Sequence, residues 1–209
     1  MGCTVIKSGK LFKKMEYMKI FLNGGGCGPQ TDAVLKRFNE MIDHTKPLLY
    51  IPLAMERERY PGCYEWIQDE LWEVDVPRIE MVTSAGELAR KDLDGYCAAF
   101  AGGGSAGAII FGRSLESCAQ DDKNDVGMKG LSGFDVLNGV SLLCHYTKHT
   151  EKKDRASTIY LTELSKQLPA LALPEEDTIA INGDEMNVMG TGPYYCLQNG
   201  VRETREAVQ

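Results

Sequence analysis

Residues 96–112 read YCAAFAGGGSAGAIIFG: an apolar run, three consecutive glycines, a serine, two small residues and a second apolar run. Glycine weakens strands and helices alike, so the cluster predicts a sharp turn or a close backbone approach. The apolar residues before it predict a strand, and those after it a helix around Ala106–Gly112. Gly103-Gly104-Ser105-Ala106-Gly107 satisfies G-x-S-x-G, in which a serine sits on a strained strand-to-helix turn. Small flanking residues are needed there because bulky ones would clash, and the helix that follows aims backbone amides at charge developing on a substrate oxygen.

Outward from that turn the chain alternates between strand and helix patterns. KIFLN (19–23), PLLYIPLAM (47–55) and RIEMVTS (78–84) are short apolar runs that predict strands. Between them TDAVLKRFNEMIDH (31–44) and CYEWIQDELW (63–72) carry apolar residues at helical spacing, and AGELARKDL (85–93) predicts a short helix. Near-continuous apolar strands are those covered on both faces, so the pattern predicts a mostly parallel open sheet flanked by helices in three layers. GVSLLCHYT (139–147) predicts a further strand and TIYLTELSKQL (158–168) a helix. Residues 170–197 close the chain as short β-strands, with Asn182-Gly183-Asp184 as a hairpin turn. Residues 1–17 read as a flexible extension and 18–209 as one α/β domain.

Bulk composition excludes several classes of function. The 209 residues are 43% hydrophobic and 25% charged, with a formal net charge of -7, which disfavours a nucleic-acid partner. No apolar run reaches the ~20 residues that span a bilayer, so no membrane partner is expected. Seven widely spaced cysteines without a CxxC pair read as reduced thiols in a cytoplasmic protein. The absence of a clustered ligand set predicts neither a metal nor another cofactor.

A serine nucleophile needs a base and a group that orients it. Of three histidines, His44 ends an amphipathic segment and His149 lies in the charged run KHTEKK. His145 ends the apolar run VSLLC, where a parallel strand delivers residues to the sheet edge, and is the best candidate base. Neighbouring Cys144 should point the opposite way along the strand. For the acid, Asp121, Asp122, Asp125 and Asp135 all lie between Ser105 and His145, and spacing does not choose among them.

These residues resemble the peptidase E and cyanophycinase family of serine peptidases, which have a class I glutamine amidotransferase-like, flavodoxin-like α/β fold. The matching segments are KIFLNGGG, LLYIPLAM, GGSAGAIIFG, GFDVLNGVSLLCHYT and ALPEEDTIAINGDEMNVMGT, spread over most of residues 18–200. The resemblance implies Ser105 as nucleophile, His145 as base, Asp125 of the Asn124-Asp125 dipeptide as acid with Asp121 and Asp122 as fallbacks, and the Ala106 amide in the oxyanion hole. Gly103, Gly104 and Gly107 would be the elbow glycines. It implies a small peptide substrate, such as an aspartyl dipeptide, and no cofactor. A homodimer is the assembly to test.

The sequence departs from the family at one place. Family members carry a glycine-rich strand end, a helix and another strand before the serine turn, whereas here YCAAFAGGG runs directly into SAGAIIFG. About 40 residues of strand-helix-strand are missing relative to that pattern, consistent with a crossover unit of about 30 residues or more. The missing segment contributes a core strand and a second oxyanion amide, so a catalytically impaired scaffold or binding protein is the alternative expectation. An amidohydrolase or esterase with the same triad is another. A nucleotide site at NGGGCGP (23–29) is disfavoured because Pro29 occupies the third glycine's place.

Overall fold

The computed structural model describes residues 19–53, 55–101, 105–122, 124, 127–182 and 185–208. The expected extension over residues 1–17 lies outside the described residues, as do Gly103, Gly104 and Asp125. In chain order the elements are β1 (Lys19–Asn23), α1 (Asp32–Met41), β2 (Leu48–Ile51), α2 (Tyr60–Glu70), β3 (Ile79–Met81), α3 (Ala85–Leu88) and β4 (Ala98–Ala101). There follow α4 (Ser105–Ile109), β5 (Ser141–Leu143), α5 (Glu151–Leu164), β6 (Ala170–Ala172), β7 (Thr178–Asn182), β8 (Glu185–Met189), β9 (Pro193–Gln198) and β10 (Val201–Glu206).

The fold is α/β, with parallel strands covered by helices and short strands at the C-terminus. Parallel pairing joins β3, β2 and β4 in that order, with Leu48 opposite both Ile79 and Ala98, and also joins β5 to β6. The C-terminal strands pair antiparallel: β7 lies between β1 and β8, and β9 between β6 and β10. β7 and β8 form the expected hairpin, closing on Asn182 opposite Glu185. A second hairpin, β9–β10, turns at Asn199-Gly200, both at positive φ as a tight type I′ turn requires.

Strand alternation sorts the side chains into three cores. From β1, Ile20 and Leu22 join Ala108 and Ile109 of α4, while Phe21 faces the other way, edge-on to Phe38 of α1 at 4.8 Å. β5 does the same: Leu142 packs with α4, and Leu143 turns to Leu161 of α5. Each such side chain, fully buried, contributes about 1.5–3 kcal/mol. The strands therefore have helices on both faces, which is why their sequences are apolar throughout.

The segment before the serine is short, as the sequence implies. β4 and α4 are separated by residues 102–104 alone, and β1 lies beside β4 without joining its ladder among the described residues. A slit of about 20 Å³ remains between them, lined by Phe21, Asn23, Phe100, Gly107 and Phe111 among others.

Candidate active site

Ser105 is the first residue of α4 and is partly buried; Ala106 follows it, exposed. The first amides of a helix have no intrahelical acceptors, and Ala106 is the second residue of α4. Gly107 is buried and lines the slit beside β1. The helix itself spans Ser105–Ile109, starting one residue before the expected range and ending three before it.

His145 leaves β5 at φ 55, a left-handed conformation uncommon for any residue but glycine. Its ring is partly exposed, and Nδ1 lies 2.7 Å from Oε1 of Glu175. Because a carboxylate only accepts, Nδ1 carries the proton of this bond and Nε2 is left as the basic nitrogen. Glu175 lies in the turn after β6, inside the quoted ALPEEDTIAIN segment, but no sequence signal distinguished it from Glu176 and Asp177. In the structure the three diverge. Glu176 lies 3.1 Å from Lys148, and Asp177 is fully buried, accepting from Gly192 N at 3.2 Å. Burial, reinforced by the charges of Glu176 and Glu206, pushes Asp177 up to about 6 against the opposing amides of Gly192 and Thr191.

The other expected acids have different partners. Asp121 accepts a hydrogen bond from Ser157 Oγ at 2.8 Å and lies 3.6 Å from Lys153, tying its turn to α5. Asp135 accepts from Gly139 N at 2.6 Å and faces Arg113 at 3.6 Å. Asp122 is exposed, and Asn124 closes its own loop through Met128, its amide bonding both the Met128 N–H and carbonyl at 2.7 Å. His44 bonds the Asp75 carbonyl at 2.6 Å, and His149 Nδ1 lies 3.3 Å from Asp154.

Cys144 joins the site as a packing group. Its buried Sγ lies 3.4 Å from the Asn23 carbonyl and 3.8 Å from that of Ser105, so the ends of β1 and β5 and the start of α4 converge there. Burial raises its thiol far above the ordinary range, which keeps it protonated and inert. The glycine loop after β1 is equally occupied. The amides of Gly24, Gly25, Gly26 and Gly28 donate to Asp177 O, Asn23 Oδ1, Glu175 O and Glu70 Oε2, leaving none of these four to cradle a phosphate.

A larger hollow of about 520 Å³ opens near the C-terminal end of β2, lined by Tyr50, Met55, Arg59, Cys63 and Trp66 among others. Phe100 of β4 packs against both Tyr50 and Trp66, which sets this hollow one strand from the turn that carries Ser105. Among the described residues no group of three or more His, Cys, Asp or Glu side chains could hold a metal ion, and no helix is long and apolar enough to cross a membrane.

Residues 97–189 match the model of peptidase family S51, a span that contains Ser105, His145 and Glu175. The chain is similar in fold to a peptidase from an acI-B1 Actinobacterium, with a TM-score of 0.64 at 13% identity, covering 92% of this chain and 96% of that one. It is also similar to a candidate peptidase E protein from Listeria monocytogenes EGD-e, with a TM-score of 0.60 at 18% identity over 84% of this chain and 100% of that one. No curated protein matches its sequence significantly.

Proposed function

We propose that the protein is a serine peptidase of small peptides in which Ser105, His145 and Glu175 act as the triad. Ser105 Oγ attacks the scissile carbonyl, and His145 Nε2 takes its proton and returns it to the leaving amine. Water then hydrolyses the acyl-enzyme by the same route in reverse. Glu175 holds the Nδ1 proton and stabilises the imidazolium, the part first expected of Asp125. The Ala106 amide is one oxyanion donor.

A single observation carries this reading: the 2.7 Å hydrogen bond from His145 Nδ1 to Glu175, at a strand end beside the serine-bearing helix. Aspartyl dipeptides are the first substrates to test, by release of free aspartate. A fluorophosphonate probe should label Ser105, located by peptide mass spectrometry, and Ser105→Ala should abolish the adduct. A folded protein that stays unlabelled overturns the proposal. It would favour the second reading, a peptidase-like scaffold, which draws on the short connection between β4 and α4 and on β1 and β4 lying side by side with no ladder between them among the described residues. Loss of one oxyanion donor alone costs about 100- to 1000-fold in rate.

A further inference from the structure

Gly24, Gly25 and Gly26 follow β1 and take no chemical part in the reaction above, yet their backbone joins both segments that carry the His145–Glu175 pair. Gly24 accepts from the His145 N–H at 2.7 Å and donates to the Asp177 carbonyl at 2.8 Å, while Gly26 donates to the Glu175 carbonyl at 3.1 Å. The approach is too close for side chains: a Cβ on Gly24 or Gly26 would meet the carbonyls of Pro174, Asp177 or Glu175. Gly25, at φ +111, lies flat on the imidazole, and a Cβ there would fall 2.5 Å from Nε2 and 2.7 Å from Nδ1 of His145.

We propose that the Gly24–Gly26 loop is a clasp that sets the orientation of the His145 ring against Glu175, with Gly25 as the positioning residue. His145 needs such a restraint because its own backbone is left-handed, and a strained residue keeps one geometry only when its surroundings over-determine it. One backbone bond fixes the His145 amide, the carboxylate fixes Nδ1, and the bare Cα of Gly25 closes one face of the ring. The ring is thereby held with Nε2 as the nitrogen that Glu175 does not engage. The catalytic meaning of the clasp rests on the proposed triad, but its geometry does not.

The test is a double-mutant cycle in urea with Gly25→Ala, His145→Ala and the pair. Gly25→Ala should lower the unfolding midpoint far more in the wild-type background than beside His145→Ala, where no ring is left to strike. A Gly25→Ala protein that fails to fold while the double variant folds is the same result in its extreme form. Equal losses in both backgrounds, or two unfolded proteins, overturn the proposal. In folded Gly25→Ala, the downfield NMR resonance of the His145 Nδ1 proton should be lost and probe labelling should slow roughly 100-fold, the scale of an ångström's misplacement. Gly28→Ala is the control, with φ +63 but open space at the Cβ position, and should keep both signals. Persistence of the Nδ1 resonance in Gly25→Ala also overturns the clasp. Failure of the probe on wild-type protein removes the triad but leaves the cycle to read the clasp independently.

Discussion

Two loops of this molecule carry acids that could orient His145, and they are built in opposite ways. The loop at residues 174–177 is anchored on both sides, receiving backbone hydrogen bonds from Gly24 and Gly26 and another from Gly192 to Asp177, with Pro174 and Asp177 buried. The described residues of the 119–128 stretch are largely exposed, with Asp121 tied to Ser157 and Asn124 bonded within its own turn. An orienting acid must hold one geometry while charge moves through its partner. A loop bonded to the same strand ends as the histidine provides that at no further cost in ordering.

The sharpest way to break this contrast is to exchange the fates of the two acids. Glu175→Gln should lower the labelling or hydrolysis rate by about 10³- to 10⁴-fold, the scale of losing a triad acid, with the unfolding midpoint little changed. Asp125→Ala should stay within about twofold of wild type, because His145 Nδ1 is already held by Glu175. The reverse pattern would move the acid back to Asp125.

Asp177 tests how rigid the anchored loop is. Burial raises its carboxyl to about 6, above an unfolded value near 3.8, so between about pH 4 and 6 the native state holds a proton that the unfolded state has released. This group's contribution therefore makes stability fall as pH rises through that window and level off above it, by about 2–3 kcal/mol in all. Asp177→Asn should flatten the profile, as read from urea midpoints at pH 4, 5, 6 and 7. A profile identical to wild type would mean that Asp177 keeps its charge in the fold. The smallest effect is expected in the other loop. Ser157→Ala, which removes the donor to Asp121, should cost about 1 kcal/mol and leave probe labelling unchanged.

Much of this architecture was legible in the sequence, for identifiable reasons. KIFLN, PLLYIPLAM and YCAAFAGGG gave their strands away because strands covered on both faces must be apolar along their whole length. The β7–β8 hairpin was marked by Asn182-Gly183-Asp184. The β9–β10 hairpin carries an equally good Asn199-Gly200 signal, but VRETRE is exposed along nearly its whole length and shows no apolar face to predict its strand. Helix α5 begins at Glu151, seven residues before the expected TIYLTELSKQL, since its first two turns are largely polar and partly solvated.

Sequence alone determined the α/β alternation, the strand-turn-helix around Ser105 and the emergence of His145 from a strand end, because each is written in local periodicity and turn chemistry. Tertiary structure decided which acid faces the histidine and what the first glycine cluster does. Glu175 is 30 residues from His145 and the Gly24–Gly26 loop more than 100, so their meeting depends on how β1, β5, β6 and β7 are brought together. No short-range pattern encodes that pairing. Glycine in a sequence says only that something comes close; the folded chain shows that here it is the imidazole of His145.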